Sequence, residues 1–329
     1  MSRGAGRNPG RFYSTFTGRF RMPAGPLCPI REDPDLDQYE SDLASLQRYE
    51  KDADAEMARV DGLPIWKPTA YERHYVPGLR LVGIRDKTNV VLQSTADLHI
   101  HTDWSDGDDL DAVLEHAVAA GLDAIAITDH DEIEGALEAR RRVHKRRLPI
   151  AVVPGIEVSS RDGHIGGLFV TRKIEKGLSA EETVQRIHDA GGLAVAHHPY
   201  VPRWIEIVLM QRLGCRDLIK TVPFDAIECN NAVPGRGIKY NLEAIKYIRD
   251  HHLNVAVTGG SDAHIAELVG KGRTCFAGNE GVVSLRTGII HGFTHGSEGY
   301  WTTREKVSYY FHLIRAIVAN GLLRRGSVN

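Results

Sequence analysis

The amino-acid sequence predicts an α/β fold in which a closed or nearly closed barrel occupies residues 95–284. Three observations support this prediction. From residue 95 onward, strand patterns and helix patterns alternate regularly along the chain. The strand segments are almost continuously apolar, which is typical of parallel strands buried under helices. Six or seven such units within this stretch favour a barrel over an open sheet.

Each predicted element follows from its periodicity and its boundary residues. Gly121, Pro149 and the pair Gly191–Gly192 end three helices, and Ser179 followed by acidic residues begins one of them. The predicted strands, in order, are ADLHIHT, LDAIAITDHD, IAVVPGIEVSS, HIGGLFV, GLAVAHHPY, FDAIECNN and LNVAVTGGSDAH. The predicted helices are DDLDAVLEHAVAAG, EIEGALEARRRVHKRR and SAEETVQRIHDAG, with further helical stretches near residues 203–213 and 238–252.

The barrel is flanked by segments of different composition. Residues 1–31 contain arginines among Gly, Pro, Ser and Phe, which predicts a disordered basic tail, with an anion-binding arm or an oligomer contact as the alternative. Residues 32–94 predict an N-terminal extension made of a helix and a connective segment. Residues 285–329 predict a loop and a C-terminal helix packed on the barrel as an appendage.

The overall composition narrows the class of protein. A net charge of −2 argues against a surface that binds nucleic acid throughout, so a nucleic-acid partner is disfavoured. The four cysteines form no CxxC pair, which fits reduced thiols in a cytoplasmic protein. No apolar run is long enough to span a membrane, and the N-terminus has no apolar signal segment. We therefore expect a cytoplasmic protein without a membrane partner, whose oligomeric state the sequence leaves open.

Side chains of the types that bind metal ions, His, Asp and Glu, stand at the ends of the predicted strands. His99 and His101 alternate in the first strand, so both can face one side. The later candidates are Asp106, Asp129, His130, Glu157, His164, His197, His198, Glu228, Asp262 and His264. Because the carboxyl ends of barrel strands share one rim, these side chains should meet in one cleft. Each has an ordinary structural explanation by itself, but together they predict a metal centre.

The same residues resemble a known family. DLHIHTDWSDG, AITDHD, PGIEVSS, DGHIGG, AHHPY and GGSDAH look like the successive motifs of the polymerase and histidinol phosphatase (PHP) superfamily. The resemblance covers roughly residues 95–280, in the family's motif order. It implies a distorted (β/α)7 PHP-type barrel that holds two or three divalent metal ions, with Zn, Mn and Fe as the candidates.

Carried over motif by motif, the resemblance also implies ligands. The implied sets are His99, His101, Glu157 and Asp262 for the first ion; Asp106, His130 and His264 for the second; and Glu157, His164 and His198 for the third. In AHHPY the family has one histidine directly before the proline, so His198 is the expected ligand and His197 replaces a commonly small residue. Glu228 matches a recurrent position and is expected to support the ligands or the fold.

This ligand set predicts a metal-dependent phosphoesterase, a phosphoric ester hydrolase in which a metal-bound hydroxide attacks a small phosphorylated substrate. Nucleotides are among the candidate substrates. Asp129 is the candidate for orienting His130, with a strand-end cap as the alternative. Arg161, Arg203 and Arg236 lie in predicted rim loops and are candidates for binding a distal phosphate, although each also fits a solvated surface arginine.

Other functions stay open at this stage. TDHDEIEG is similar to family members that remove phosphate from nucleotides, such as 3′,5′-bisphosphate phosphatases, but these carry a long insertion between the PGxE and AHP motifs. Here Glu157 and His198 are 41 positions apart, so a smaller or open-sided substrate fits equally well. A PHP-type metallohydrolase for a non-phosphate ester, amide or carbamate bond is one alternative. A non-catalytic metal-binding interaction protein is the other.

Overall fold

The computed structural model describes residues 92–233, 237–253, 255–277 and 281–298, together with residues 304, 305, 307 and 309. The predictions for the basic tail, for nearly all of the N-terminal extension, for most of the C-terminal helix and for Arg236 lie outside the described residues. In the part of the chain that is described, no helix combines the length and the apolar character that crossing a bilayer requires.

Nine strands form one sheet in the described part of the chain. They are β1 (Leu92–Ile100), β2 (Ala124–Ile127), β3 (Ala151–Ser160), β4 (Gly163–Leu168), β5 (Leu193–Ala196), β6 (Ala226–Asn231), β7 (Ala256–Gly260), β8 (Gly272–Ala277) and β9 (Thr294–Glu298). Their spatial order is β7-β6-β5-β4-β3-β2-β1-β8-β9.

Backbone hydrogen bonds close the sheet on itself near the ends of β1 and β7. The Asp262 N–H donates to the His99 carbonyl at 2.8 Å, and the His101 N–H donates to the Ala263 carbonyl at 2.9 Å. The predicted α/β barrel is therefore confirmed, as a nearly closed sheet.

The sheet is mixed, and the expectation of a parallel sheet is wrong for several pairs. β3 pairs with β4, β4 with β5, β1 with β8 and β8 with β9 in antiparallel fashion. Only Arg161 and Asp162 separate β3 from β4. Such a short connection permits an antiparallel hairpin but not the crossover that parallel neighbours need. β9 also falls in a segment predicted as a loop.

Six helices accompany these strands in the described residues. They are α1 (Leu110–Ala119), α2 (Glu134–Arg146), α3 (Ala180–Asp189), α4 (Arg203–Leu209), α5 (Gly237–Asp250) and α6 (Val282–His291). Ser179 caps α3 as predicted, and with Glu182 it forms a reciprocal capping box. α2 ends at Arg146, and its C-cap residue Arg147 has a left-handed φ of 52° and stands two residues before Pro149.

Two apolar clusters hold the barrel together. The larger cluster lies between the sheet and the outer helices and includes Ile125 and Ile127 of β2. The smaller cluster occupies the opposite strand faces, where Ala124 and Ala126 meet side chains of α6, among them Ile289. Because alternate side chains of a strand point to opposite faces, one set of strand residues faces the barrel interior. The smaller apolar cluster fills the part of this interior next to α6, and polar side chains can occupy the rest.

A register shift in β1 decides how the first motif enters this interior. Asp97 pairs with Ile125, and Ile100 pairs with Ile127, so β1 has one more residue than β2 between these points. This is a β-bulge, which redirects side chains. As a result Leu98 joins the smaller cluster and Ile100 the larger one, although the two positions would share a face in a regular strand.

Candidate metal centre

Glu157 is the common neighbour of the candidate ligands. It is fully buried near the end of β3. Six histidine rings place a nitrogen close to one of its carboxylate oxygens: His99 at 3.2 Å, His101 at 3.5 Å, His130 at 3.1 Å, His164 at 3.4 Å, His197 at 2.9 Å and His198 at 3.3 Å. These histidines belong to four of the sequence motifs, which the barrel rim brings together around one carboxylate.

The distances fit shared ions better than direct hydrogen bonds. Two ligand atoms bound about 2.1 Å from one tetrahedral ion lie about 3.4 Å apart. Several of the buried ring nitrogens also have no hydrogen-bond partner, including Nε2 of His99, both ring nitrogens of His101 and Nδ1 of His164. Buried polar atoms are normally satisfied, so this set of exceptions indicates a missing partner with several bonds. The residues present therefore fit a cluster of divalent ions.

Asp262 completes the set expected for the first ion. Its Oδ1 lies 3.5 Å from Nε2 of His99 and 3.3 Å from Nε2 of His101. The same two nitrogens approach the two oxygens of Glu157. The structure thus brings His99, His101, Glu157 and Asp262 together with their donor atoms facing one another.

Asp106 anchors a second group on the exposed side of the centre. His101, Asp106, His130 and His264 can each direct one ligand atom to a common point. Nε2 of His264 lies 3.5 Å from the Asp106 carboxylate, which is 47% exposed. His101 is fully buried, as is Glu157, so Asp106, His130 and His264 form the side of the centre that is open to solvent.

The third expected group also assembles around Glu157. Nδ1 of His164 and Nδ1 of His130 face its two oxygens at 3.4 and 3.1 Å, and these three residues form a further candidate ligand set. His198 stands with His99 and Asp262 in another set, and its Nε2 is 3.3 Å from Glu157. The structure places His198 beside Glu157 but groups it with the first set rather than with His164.

His197 occupies a different environment from His198. Its Nδ1 lies 2.9 Å from Glu157, which is a hydrogen-bond distance, and its ring stacks on His99 with centroids 3.8 Å apart. On the far side, Nε2 is so close to Gly166 that a Cβ atom there would lie 2.1 Å away. His197 therefore fills a closed slot from which it can orient Glu157, although it also forms a candidate ligand set with His99 and Glu157.

The pKa shifts of three of these side chains reflect the balance between burial and neighbouring charges. Burial opposes charge on His99, but three neighbouring carboxylates outweigh it and raise the pKa of His99 well above its ordinary value. Burial alone would raise the pKa of Glu157, but the surrounding histidines hold it well below its usual range. Burial, with repulsion from two other histidines, lowers the pKa of His101 to about 3. Glu157 and His101 are thus favoured in the forms that bind metal, an ionised carboxylate and a neutral imidazole, whereas His99 must release a proton when an ion binds its ring.

Glu228 supports the ligands from behind, as the sequence suggested. Its Oε1 lies 3.1 Å from Nδ1 of His99, and its Oε2 accepts the His198 backbone N–H at 2.7 Å and the Asn231 side-chain amide at 3.0 Å. A carboxylate on the outer nitrogen of a ligand histidine fixes the tautomer and the ring orientation. Nε2 of His99 is thereby left as the candidate ligand atom.

Asp129 contacts the loop after β1 rather than His130. Its Oδ1 accepts the Thr102 N–H at 2.7 Å and the Ser105 hydroxyl at 2.6 Å, and its Oδ2 accepts the Thr102 hydroxyl at 2.7 Å. These bonds hold the turn that carries Asp106. Asp129 therefore acts on the candidate ligand Asp106 only indirectly, by holding the loop that carries it.

Two of the predicted phosphate-binding arginines, Arg161 and Arg203, are not part of this cluster. Arg161 is exposed in the β3–β4 turn and pairs with Glu182 at 3.7 Å, and Arg203 begins α4. The cleft of about 490 Å³ beside the ligands is instead lined by Lys176, whose Nζ lies 3.5 Å from Asp131. Nothing in the spacing of the motifs pointed to Lys176.

Fold and site together define an α/β barrel with clusters of histidine and carboxylate side chains at its rim that can bind divalent metal ions. The PHP domain family model matches residues 97–290, and the chain belongs to this family. An uncharacterised protein of Methanocaldococcus jannaschii is 36% identical over 167 residues, which cover 47% of this chain and 92% of that protein.

More distant similarity reaches proteins of described activity. A phosphoribosyl 1,2-cyclic phosphate 1,2-diphosphodiesterase of Eggerthella lenta is 42% identical over 88 residues, which cover 26% of this chain and 31% of that protein. A crystal structure of a two-domain Bacteroides vulgatus protein, containing a predicted PHP-like metal-dependent phosphoesterase, aligns over 64% of this chain and 66% of that one. Its TM-score is 0.49 and its identity 18%.

Proposed function

We propose that this protein is a metal-dependent phosphoesterase that hydrolyses a small phosphorylated substrate, with nucleotides as the first group to test. The observation that carries the proposal is the cage of histidines around one buried carboxylate, with ring nitrogens that lack hydrogen-bond partners. Membership of the PHP family supports it, as does the phosphodiesterase activity named for the Eggerthella lenta relative.

The donor set suits this chemistry. Divalent ions in such a site lower the pKa of bound water and neutralise charge on phosphoryl oxygens. Nitrogen and carboxylate ligands of this kind accept Zn, Mn or Fe. The first expected set would hold one ion, and the groups around Asp106 and His164 would hold the others.

The side chains of the exposed group would contact the substrate. Asp106, His130 and His264 form the open side of the centre, and the cleft next to them has a volume of about 490 Å³. This volume lies within the usual range for small-molecule sites. Lys176 lines the same cleft, and we infer that its ammonium group binds a phosphoryl oxygen as the substrate enters.

The leaving group and the substrate body would contact the apolar wall of the cleft, to which Leu209, Leu213 and Tyr309 contribute. They offer apolar surface and one phenol, which suits a sugar or an aromatic ring attached to the phosphate. This wall is the basis for placing nucleotides first in the substrate panel.

The test is phosphate release from phosphomonoesters, nucleotides and a phosphodiester, with added Mn²⁺ and then with chelator. We expect release from at least one compound, its loss with chelator, and its loss in Glu157→Gln but not in the exposed control Glu182→Gln. No release from protein that carries two or three metal equivalents would contradict the proposal and favour a non-phosphate bond. Protein without bound metal after Mn²⁺ or Zn²⁺ addition would contradict the metal centre itself.

A further inference from the structure

We propose that Gln211 is a positioning residue of the metal centre, which fixes the tautomer of His164. Its side-chain amide would accept the Nε2–H of His164 and so leave the Nδ1 lone pair of that ring for an ion shared with Glu157. The inference rests on the proposed metal centre, but it does not depend on which bond the enzyme cleaves.

The geometry of His164 shows which of its nitrogens faces the centre. Nδ1 lies 3.4 Å from Glu157, is buried and has no hydrogen-bond partner. Nε2 points the other way and lies 2.9 Å from the side-chain amide of Gln211. Because the candidate ligand set joins His130, Glu157 and His164, Nδ1 is the atom placed to bind the ion.

Metal binding at Nδ1 determines what Nε2 must do. A neutral imidazole carries one proton, so a ring that binds an ion through Nδ1 must carry its proton on Nε2. Nε2 then needs an acceptor. The amide of Gln211 presents its nitrogen to the ring in the structure, and a half-turn about its last bond presents its oxygen instead. With the nitrogen donating, the proton would stand on Nδ1 and block the ion, so ion binding selects the oxygen.

Gln211 is held in place by its own surroundings. Its backbone N–H donates to the Glu206 carbonyl at 3.1 Å, and the Glu206 carboxylate accepts the N–H groups of Leu213 and Gly214 at 3.1 and 3.3 Å. The Leu213 carbonyl accepts the backbone N–H of His164 at 2.9 Å. The segment that carries the amide is thus tied to the backbone of the ligand it contacts, as expected for a residue that orients a ligand rather than one that meets it by chance.

The experiment compares Zn²⁺ binding by the full chain and three variants. Gln211→Leu removes the acceptor at similar size, Gln211→Glu keeps an acceptor, and Gln185→Leu is a control on α3, where the glutamine amide donates to the exposed Asp189. Affinities are measured by competition with a chromophoric chelator, with metal content as the stoichiometry check. We expect Gln211→Leu to weaken one class of site by about 10- to 100-fold, the usual effect of losing such a partner. Gln211→Glu and the control should stay within a few-fold of wild type.

A second measurement reads the tautomer directly. In ¹⁵N-histidine-labelled protein loaded with Zn²⁺, the His164 ring should show a protonated Nε2 in wild type and in Gln211→Glu. This readout keeps the proposal testable if Gln211→Leu fails to fold, because a wild-type His164 with its proton on Nδ1 would overturn it.

The other outcomes are equally decisive. Unchanged Zn²⁺ affinity in folded Gln211→Leu would overturn the proposal, and so would equal losses in Gln211→Leu and Gln211→Glu, which would indicate a structural role. Wild-type protein that binds Zn²⁺ as expected but hydrolyses no phosphoester would contradict the proposed function and leave this inference standing.

Discussion

Replacing Glu228 by glutamine should disturb the centre although Glu228 binds no ion in the proposed arrangement. One carboxylate oxygen faces Nδ1 of His99 at 3.1 Å, while the other accepts from the His198 backbone at 2.7 Å and from Asn231 at 3.0 Å. A glutamine cannot satisfy both sides. If its oxygen faces His99, its NH2 group meets two donors. If it is reversed, its NH2 group donates to Nδ1 of His99 and moves the ring proton to Nε2, the ligand atom.

The size of the effect follows from these two arrangements. An unsatisfied buried donor costs about 1–3 kcal/mol, so metal-free Glu228→Gln should lose about that much free energy of unfolding. The tautomer change should weaken metal binding by about 10- to 100-fold. Urea unfolding and chelator competition measure the two quantities, with Glu243→Gln on the exposed side of α5 as the control. Wild-type affinity and stability in Glu228→Gln would refute this account of how His99 is oriented.

Three further changes test other parts of the structure. His198→Ala should lower the metal content, whereas His197→Ala should keep the metal content and weaken the affinity. The reason is that His197 lies at a hydrogen-bond distance of 2.9 Å from Glu157 and so orients that carboxylate rather than binding an ion. The opposite pattern in elemental analysis would make His197 the ligand. Gly166→Ala should lower the free energy of unfolding in urea by about 1–3 kcal/mol, because the new Cβ atom would lie 2.1 Å from the His197 ring. The control is Gly288→Ala within α6, whose Cβ atom would meet nothing closer than 3.4 Å and should leave the stability unchanged or raise it. Burial raises the pKa of Glu206, but hydrogen bonds from its arginine partner and two backbone amides outweigh this and lower it. The contribution of Glu206 to stability is therefore fully present at neutral pH and declines as the pH falls below about 4.3. Glu206→Gln should destabilise the protein by about 1 kcal/mol at pH 7 and by less at pH 3, and an equal loss at both pH values would argue against the ion pair.

The barrel could be predicted from the sequence because its signals are local. Apolar runs of strand length alternate with amphipathic stretches, and caps such as Ser179 mark the helix starts. The pairing direction is not local. The residues of β5 (193–196) do not indicate that this strand pairs with β4 in antiparallel fashion, because the direction of pairing depends on how the whole sheet closes. The five residues of β9 resemble a loop because they include a glycine and polar residues. Gly296 is nevertheless required in the strand, because a Cβ atom at this position would lie only 2.6 Å from the side chain of Asn230.

The sequence could bring the candidate ligands into one cluster for a related reason, because most of them lie in or after an apolar strand segment and the strand ends of a barrel meet at one rim. His164 differs, since it is the second residue of β4 and reaches the cluster because that strand runs antiparallel to β3. The supporting groups could not be predicted in the same way. Gln211 reaches His164 across 47 positions of sequence from a segment with no motif, and Lys176 enters the cleft from a connection between β4 and α3. The arginines chosen from the rim loops show the same limit, since Arg161 lies in such a loop but pairs with Glu182.

The AHHPY motif shows why a strand pattern alone could not place both of its histidines. Neighbouring side chains in a regular strand point to opposite faces, so His197, which continues the inward face of Val195 in β5, should leave His198 pointing outward. His198 has a φ of 26° instead, and this left-handed conformation turns its ring back to 3.3 Å from Glu157. A non-glycine residue in this region costs about 1–3 kcal/mol, which the surroundings must offset. The His198 N–H donates to the Glu228 carboxylate at 2.7 Å, so the group that fixes the His99 tautomer also stabilises the strained backbone. Orientation of one ligand and strain at another therefore depend on a single carboxylate, which binds no ion in the proposed arrangement.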